Sequence, residues 1–188
     1  MSEDKLNNVL FEELAKCGYQ CKIIASNQIR NLQSEIEHQY RQGLFDEEFY
    51  TEELSSFDFK IADSFSGSTS LIIVAAPQPQ VRVTFNWQGK SHQAIIPPTY
   101  SYEIDRQIQK LLERQLNPAG FQLKKTNLPL KLLAVHCGLA QYGKNNITYV
   151  DGMGSYHRLV AFVSDFPEIE NHWQKPQVLE RCENCKAV

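Results

Sequence analysis

Apolar positions near the start of the chain recur at helical spacing. Leu6, Val9, Leu10 and Leu14 form one stripe, Ser2 can cap it, and Glu3 and Asp4 suit its positive end. Gly18 stands where such a helix should stop. Residues 21–25 then predict a short strand. A second helix starts from Ser26, carries Ile29, Leu32, Ile36 and Tyr40 on one face, and ends at Gly43. An acidic third helix is predicted over residues 46–54.

The middle of the chain changes period. Residues 71–76 are continuously apolar and closed by Pro77 and Pro79, the pattern of a strand buried on both faces. Residues 81–85 alternate, Gln88, Gly89 and Lys90 offer a turn, and residues 92–96 return, which predicts a hairpin. After Pro97 and Pro98, residues 102–116 predict the longest helix, with Ile104, Ile108, Leu111 and Leu112 inward and Asn117-Pro118 as its stop. A short strand at 121–123, a helix over 130–137 ended by Gly138, and strands at 147–150 and 158–164 complete the pattern. The fold class expected is α/β (α+β), in one unit. Residues 1–70 form a helix–strand–helix part of it, 71–165 the core sheet with a glycine loop, and 166–188 a tail.

Composition narrows the class. The chain has 188 residues, 42% hydrophobic and 22% charged, which is enough for one globular core. No apolar run nears the length of about 18 residues that a membrane span requires. The net charge of −3 offers no basic footprint for nucleic acid. The polar, acidic start is not a secretory signal, and five cysteines do not make a disulfide framework. A reducing cytoplasm is the compartment expected.

Candidate chemistry concentrates late in the chain. Gly138, Gly143, Gly152 and Gly154 fall in a short span with Lys144, Asn145, Asn146 and Ser155. Glycines at that density allow turns at positive φ or close approach of backbone amides to a ligand. A lysine beside two carboxamides suits an anionic, heteroatom-rich ligand such as a nucleotide, a flavin phosphate or a corrinoid side chain. The span matches neither a Walker sequence nor a dinucleotide fingerprint. The plainer alternative is a helix C-cap followed by a hairpin turn with a solvated Lys144. Cys182 and Cys185 have the spacing of two thiolates sharing zinc or iron–sulfur iron, but the next cysteine of a ferredoxin motif would fall at Val188. Glu103 and Asp105, at the start of the long helix, could transfer protons from a pocket rim if apolar surroundings raised a carboxyl pKa. They could equally be ordinary partners of the helix dipole, with Ser101 as cap. His136 reads as a core or pocket-wall residue, and His157 faces either a ligand or a turn.

Together these residues resemble the epoxyqueuosine reductase family of corrinoid-dependent reductases. Leu133-Ala-Val-His-Cys-Gly-Leu-Ala-Gln-Tyr-Gly-Lys-Asn145 is similar to the family's Ala-x-x-Ala-Gly-Leu-Gly-x-x-Gly-Lys-Asn helix and loop. Gly154-Ser155 before an apolar strand, then Cys182-x-x-Cys185, follow in the family's order. The resemblance implies a nitroreductase-like mixed sheet flanked by helices, cobalamin as cofactor, and electrons from 4Fe-4S clusters. It implies that Gly138, Gly143, Lys144, Asn145, Gly154 and Ser155 contact the cofactor and that Cys182 and Cys185 ligate cluster iron. The family's proton donor is an aspartate in an Arg-Asp-Tyr-His segment; Glu103 or Asp105 would stand in for it here. With half of the cluster motif and no helical-repeat region in the sequence, an electron-donor protein becomes a candidate partner. For the same reasons tRNA is not expected to bind this chain alone. A non-catalytic cobalamin or flavin module is the alternative, since nitroreductase-like folds also take FMN.

Overall fold

A computed structural model describes residues 3–65, 67–78, 81–96, 103–169 and 172–182. Helix α1 (Glu3–Lys16) buries Leu6, Leu10 and Leu14, and the chain turns at Gly18 into strand β1 (Gln20–Ala25). Helix α2 (Gln28–Arg41) buries Ile29, Leu32 and Ile36. It starts two residues later than the sequence suggests, and Asn27, which precedes it, makes no side-chain capping bond. The acidic segment is a short helix α3 (Glu47–Glu52) followed by a 3-10 turn. The carboxylate of Asp46 accepts from the Glu48 and Phe49 amides and so fixes the α3 start. Helix α4 (Ile61–Ser64) is a single turn and carries no sequence periodicity that would have announced it.

Strand β2 (Ser70–Pro77) pairs with β1 on one side and with β8 (His157–Ser164) on the other, and β5 (Leu123–Lys125) extends the sheet beyond β8. The order β1-β2-β8-β5 is antiparallel at every pairing. The helices flank this sheet as the family resemblance implies. The strictly antiparallel pairing gives the sheet an α+β character.

Being central, β2 is buried on both faces, and its alternate residues feed two separate cores. Leu71, Ile73 and Ala75 join Leu159, Ala161 and Val163 beneath α2 and helix α6 (Leu130–His136). Ile72, Val74 and Ala76 join Val160 and Phe162 beneath α1 and helix α5 (Glu103–Leu116). Each fully buried Leu or Ile contributes roughly 1.5–3 kcal/mol, so the two cores together specify which face each helix covers.

Strands β3 (Val81–Trp87) and β4 (Lys90–Ile96) form the predicted hairpin as a separate two-stranded sheet. Strands β6 (Gln141–Tyr142) and β7 (Thr148–Tyr149) make a third, small sheet. The sequence pattern marks only the second of these, since a two-residue strand has no measurable period. Ser2, Ser101 and Tyr102, named above as cap or helix start, lie outside the described residues.

Candidate functional site

The C-terminus of α6 builds the first wall of the site. The Gly138 amide donates to the Val135 carbonyl at 3.1 Å, and the Leu139 amide to Ala134 at 2.9 Å. That pair of bonds needs a left-handed residue between them, and Gly138 supplies it with φ 74°. Strands β6 and β7 then fold back on each other. The Gly143 amide donates to the Ile147 carbonyl at 2.7 Å, Asn146 N–H to the Gly143 carbonyl at 3.0 Å, and Asn146 takes φ 58°. This is a three-residue hairpin loop, a tight turn closed by a left-handed residue. Gly143 itself is not at positive φ, contrary to the simplest expectation for a loop glycine. It is needed for space: a Cβ there would lie 2.6 Å from both Asn145 Oδ1 and a Tyr149 ring carbon. The next turn runs from Val150 to Gly154, and His157 bolts it down. Its Nδ1 lies 3.0 Å from the Gly154 carbonyl and its Nε2 3.1 Å from Thr148 Oγ1. Burial pushes the His157 pKa down, with only partial compensation from Gly154.

Between these pieces lies an open cleft of about 330 Å³. Gly138, Gln141 and Tyr149 line one side and Lys22 and Asp151 another. The Gln20 carboxamide donates to the Asp151 carbonyl at 2.7 Å, tying the turn to β1. The tail forms the remaining wall through Gln174 and Gln177.

His136 anchors that tail. Its ring stacks on Trp173 with centroids 4.4 Å apart, and Nδ1 lies 2.7 Å from the Gln174 carbonyl. Nε2 lies 2.7 Å from Glu35 Oε2 on α2. The Gln174 amide caps α6 by donating to the His136 carbonyl at 2.9 Å, and residues 177–179 exchange two backbone bonds with Tyr142. His136→Ala is expected to speed hydrogen exchange at the Gln174 and Leu179 amides about tenfold, since it removes a buried polar anchor of the strap. Unchanged protection at both amides would show that the backbone bonds hold the strap without the ring.

The sequence candidates separate into two groups. Gly138, Gly143, Lys144 and Asn145 lie along one continuous path from α6 into the hairpin, and Gly154 and Ser155 lie in the neighbouring turn. Of these six, Gly138 lines the cleft, Gly143 is sealed under Tyr149, and Lys144 and Asn145 sit exposed at the hairpin tip. Cys182 follows the strap on a 3-10 turn beside β6, its amide bonded to the Leu179 carbonyl. Cys185 lies outside the described residues. Among the described residues, no group of three His, Cys, Asp or Glu side chains could hold a metal ion.

Glu103 and Asp105 are elsewhere. They belong to α5, under the opposite face of the sheet from the glycine hairpin. Asp105 is 3% exposed. It receives Arg158 Nε at 2.6 Å and Nη2 at 2.9 Å, and the ammonium of Lys125 from β5. Burial alone would raise this carboxyl, but hydrogen bonds and charge from Arg158 and Lys125 outweigh it and hold the pKa below the usual carboxylate range. Proton donation near neutral pH calls for the reverse shift, and the geometry here is that of an ion-paired carboxylate. Glu103 is an exposed first-turn residue within 3.7 Å of Arg106.

Lys22, Tyr149, Asp151 and Gln174 escaped the sequence reading. Lys22 could have been noticed as the one charge in an otherwise uncharged strand. Asp151 and Gln174 carry no signal of their own, because turn and tail placement depends on tertiary contacts.

No family model matches the chain, and no curated protein matches it. Solved structures do match. A selenomethionine-labelled epoxyqueuosine reductase superposes with TM-score 0.65 at 15% identity, covering 98% of this chain and 51% of its own. The epoxyqueuosine reductase of Bacillus subtilis gives 0.65 at 15%, over 98% and 50%. An epoxyqueuosine reductase bound to a modified tRNA-Tyr stem loop gives 0.65 at 17%, over 98% and 50%. The chain therefore has an epoxyqueuosine reductase-like fold, and it spans about half the length of these solved proteins. Among the described residues, no helix is long and apolar enough to cross a membrane.

Proposed function

We propose that this chain is a reductase domain of the epoxyqueuosine reductase type that holds cobalamin against the cleft at the C-terminal end of α6. One observation carries the reading. The segment that resembles the family's cofactor loop, residues 133–145, forms a wall of a polar cleft in a chain that has the family's fold over nearly its whole length. The donor set suits the group. Gln141, Gln174 and Gln177 offer carboxamides, and Lys22 and Asp151 add one charge of each sign, which matches a ligand fringed with amides. Lys144 and Asn145, at the hairpin tip, would reach its periphery. When bound, a corrinoid would supply a metal centre able to take part in reduction chemistry. This chain's residues bind and orient it, and Tyr149 shields one side from water.

The cluster fits less well. Cys182 sits beside β6, but its described neighbours do not complete a ligand set, so no electron step is assigned to this chain. RNA is bound by one of the solved relatives. With a net charge of −3, this chain is assigned the corrinoid and not the RNA. The flavin alternative draws no support from the fold neighbours.

The test is spectroscopic. Hydroxocobalamin mixed with the chain should co-elute with it and shift its visible spectrum. Lys22→Ala and Asp151→Ala should each weaken binding roughly tenfold, the worth of about one hydrogen bond to a charged group. Lys144→Ala should weaken it while leaving stability within about 0.5 kcal/mol. An unshifted spectrum at tens of micromolar protein would remove the proposal.

A further inference from the structure

The β3–β4 hairpin stands apart from both cores. Its register runs from Val81 opposite Ile96 to Trp87 opposite Lys90, and the two strands pack chiefly on each other. Val81, Val83, Phe85 and Trp87 share one face by alternation, and Phe85 stacks on His92 across the pair at 5.5 Å. Trp87, at the tip, is 63% exposed, and Val81, Phe85 and Ile95 are exposed too. A lone two-stranded hairpin is marginal in water, and an apolar one needs a surface to cover it. Among the described residues no further strand pairs with either of its outer edges.

A matching surface lies elsewhere on the same chain. Between α2 and residues 50–60 is a cleft of about 260 Å³, lined by Ile36, Tyr50, Leu54, Phe57 and Phe59. Its walls are already ordered: Tyr50 stacks on Tyr40 with centroids 3.7 Å apart, and Phe57 meets Phe59 edge-on at 6.1 Å. Glu37, Asp58 and Lys60 stand at the same cleft. Charge agrees with shape. The arm, residues 81–96, carries Arg82 and Lys90 and no carboxylate, whereas residues 46–60, which form one side of the cleft, carry six carboxylates against Lys60 alone; Asp58 lines the cleft itself, with Glu37 from α2.

We propose that two copies of this chain form a closed dimer by exchanging arms, the Trp87 indole of each copy seating in the aromatic cleft of the other. Arm and cleft are both on one chain, so two contacts form at once under two-fold symmetry and no binding surface remains to propagate a fibre. At about 3.3 Å per residue, each seven-residue strand reaches roughly 20 Å, enough to cross to a neighbour. A tryptophan anchor seated in a well-packed pocket is the usual centre of an interface hot spot. Nothing in this proposal depends on what the cleft beside α6 binds.

Sedimentation velocity on the full chain tests it. A dimer is expected at tens of micromolar. Trp87→Ala should raise its dissociation constant at least about thirtyfold, in the range of a buried indole anchor, with an unchanged far-UV spectrum. Arg82→Glu with Lys90→Glu should dissociate it too, and adding Glu52→Lys with Glu53→Lys in the same chain should restore it. A wild-type monomer at that concentration would overturn the proposal, as would a dimer indifferent to Trp87→Ala. So would a monomer that binds single-stranded RNA through Trp87, since the arm would then be a nucleic-acid platform.

Discussion

Replacing Asp105 with alanine is expected to cost about 3 kcal/mol of unfolding free energy, one of the two largest losses anticipated for a single substitution in this chain. The carboxylate is nearly inaccessible and holds Arg158 from β8 and Lys125 from β5 against the first turn of α5. Its removal leaves the Arg158 guanidinium, with 18% of its side chain exposed, without its main counter-charge. Lys125 keeps 40% exposure and recovers water, which keeps the loss below the upper range for a buried pair. The pH dependence follows from the direction of the shift. Because the folded carboxyl titrates below its unfolded counterpart, near 3.9, the stabilisation is complete above about pH 4 and is lost as pH falls through the folded value. Urea titrations of wild type and Asp105→Asn should therefore differ by a constant amount from pH 5 to 8 and converge on acidification. A difference that changes near neutrality would mean that the carboxyl titrates there, and Asp105 would return as a proton donor.

The sequence carries this triad more visibly than its catalytic reading suggests. Asp105, Ile108, Leu112 and Leu116 lie on one helical stripe, and all four are buried. A lone carboxylate on an apolar stripe announces a buried ion pair, and Arg158, opening an apolar strand, is its natural partner. What the sequence conceals is which strands bring the cations, because Lys125 and Arg158, 20 and 53 positions from Asp105, come together only when β5 pairs with β8. The same division runs through the candidate site. The α6 stop at Gly138 is legible from composition, and so is a turn near Gly143. The cleft is not, since Lys22, Asp151 and Gln174 come from β1, a turn and the tail, and meet only when the sheet forms. Gly143 illustrates the limit most clearly: sequence alone cannot distinguish a glycine needed for its φ from one needed for its missing side chain.

That distinction has a measurable consequence. Gly143→Ala is expected to destabilise the chain by about 2 kcal/mol, in the overpacking range, although the backbone there lies outside the left-handed region. The added methyl would sit 2.6 Å from the Tyr149 ring and from the Asn145 carboxamide, and both must move. Asn145 is exposed and can swing away. Tyr149 is half-buried, pairs with Gln141 across β6–β7 and forms a wall of the cleft, so its displacement alters the binding surface as well as the fold. Gly154→Ala provides the contrast. A methyl there meets nothing within 4 Å, but the residue holds φ 63°, so the cost should be about 1 kcal/mol of backbone strain with no side chain displaced. Thermal denaturation and cobalamin titration of the two variants separate the causes. Adding Tyr149→Leu to Gly143→Ala should recover most of the stability, because a shorter side chain vacates the space the methyl needs. If the double variant is no more stable than Gly143→Ala, the glycine is not there to admit the Tyr149 ring, and the hairpin's contribution to the cleft rests on its backbone bonds alone.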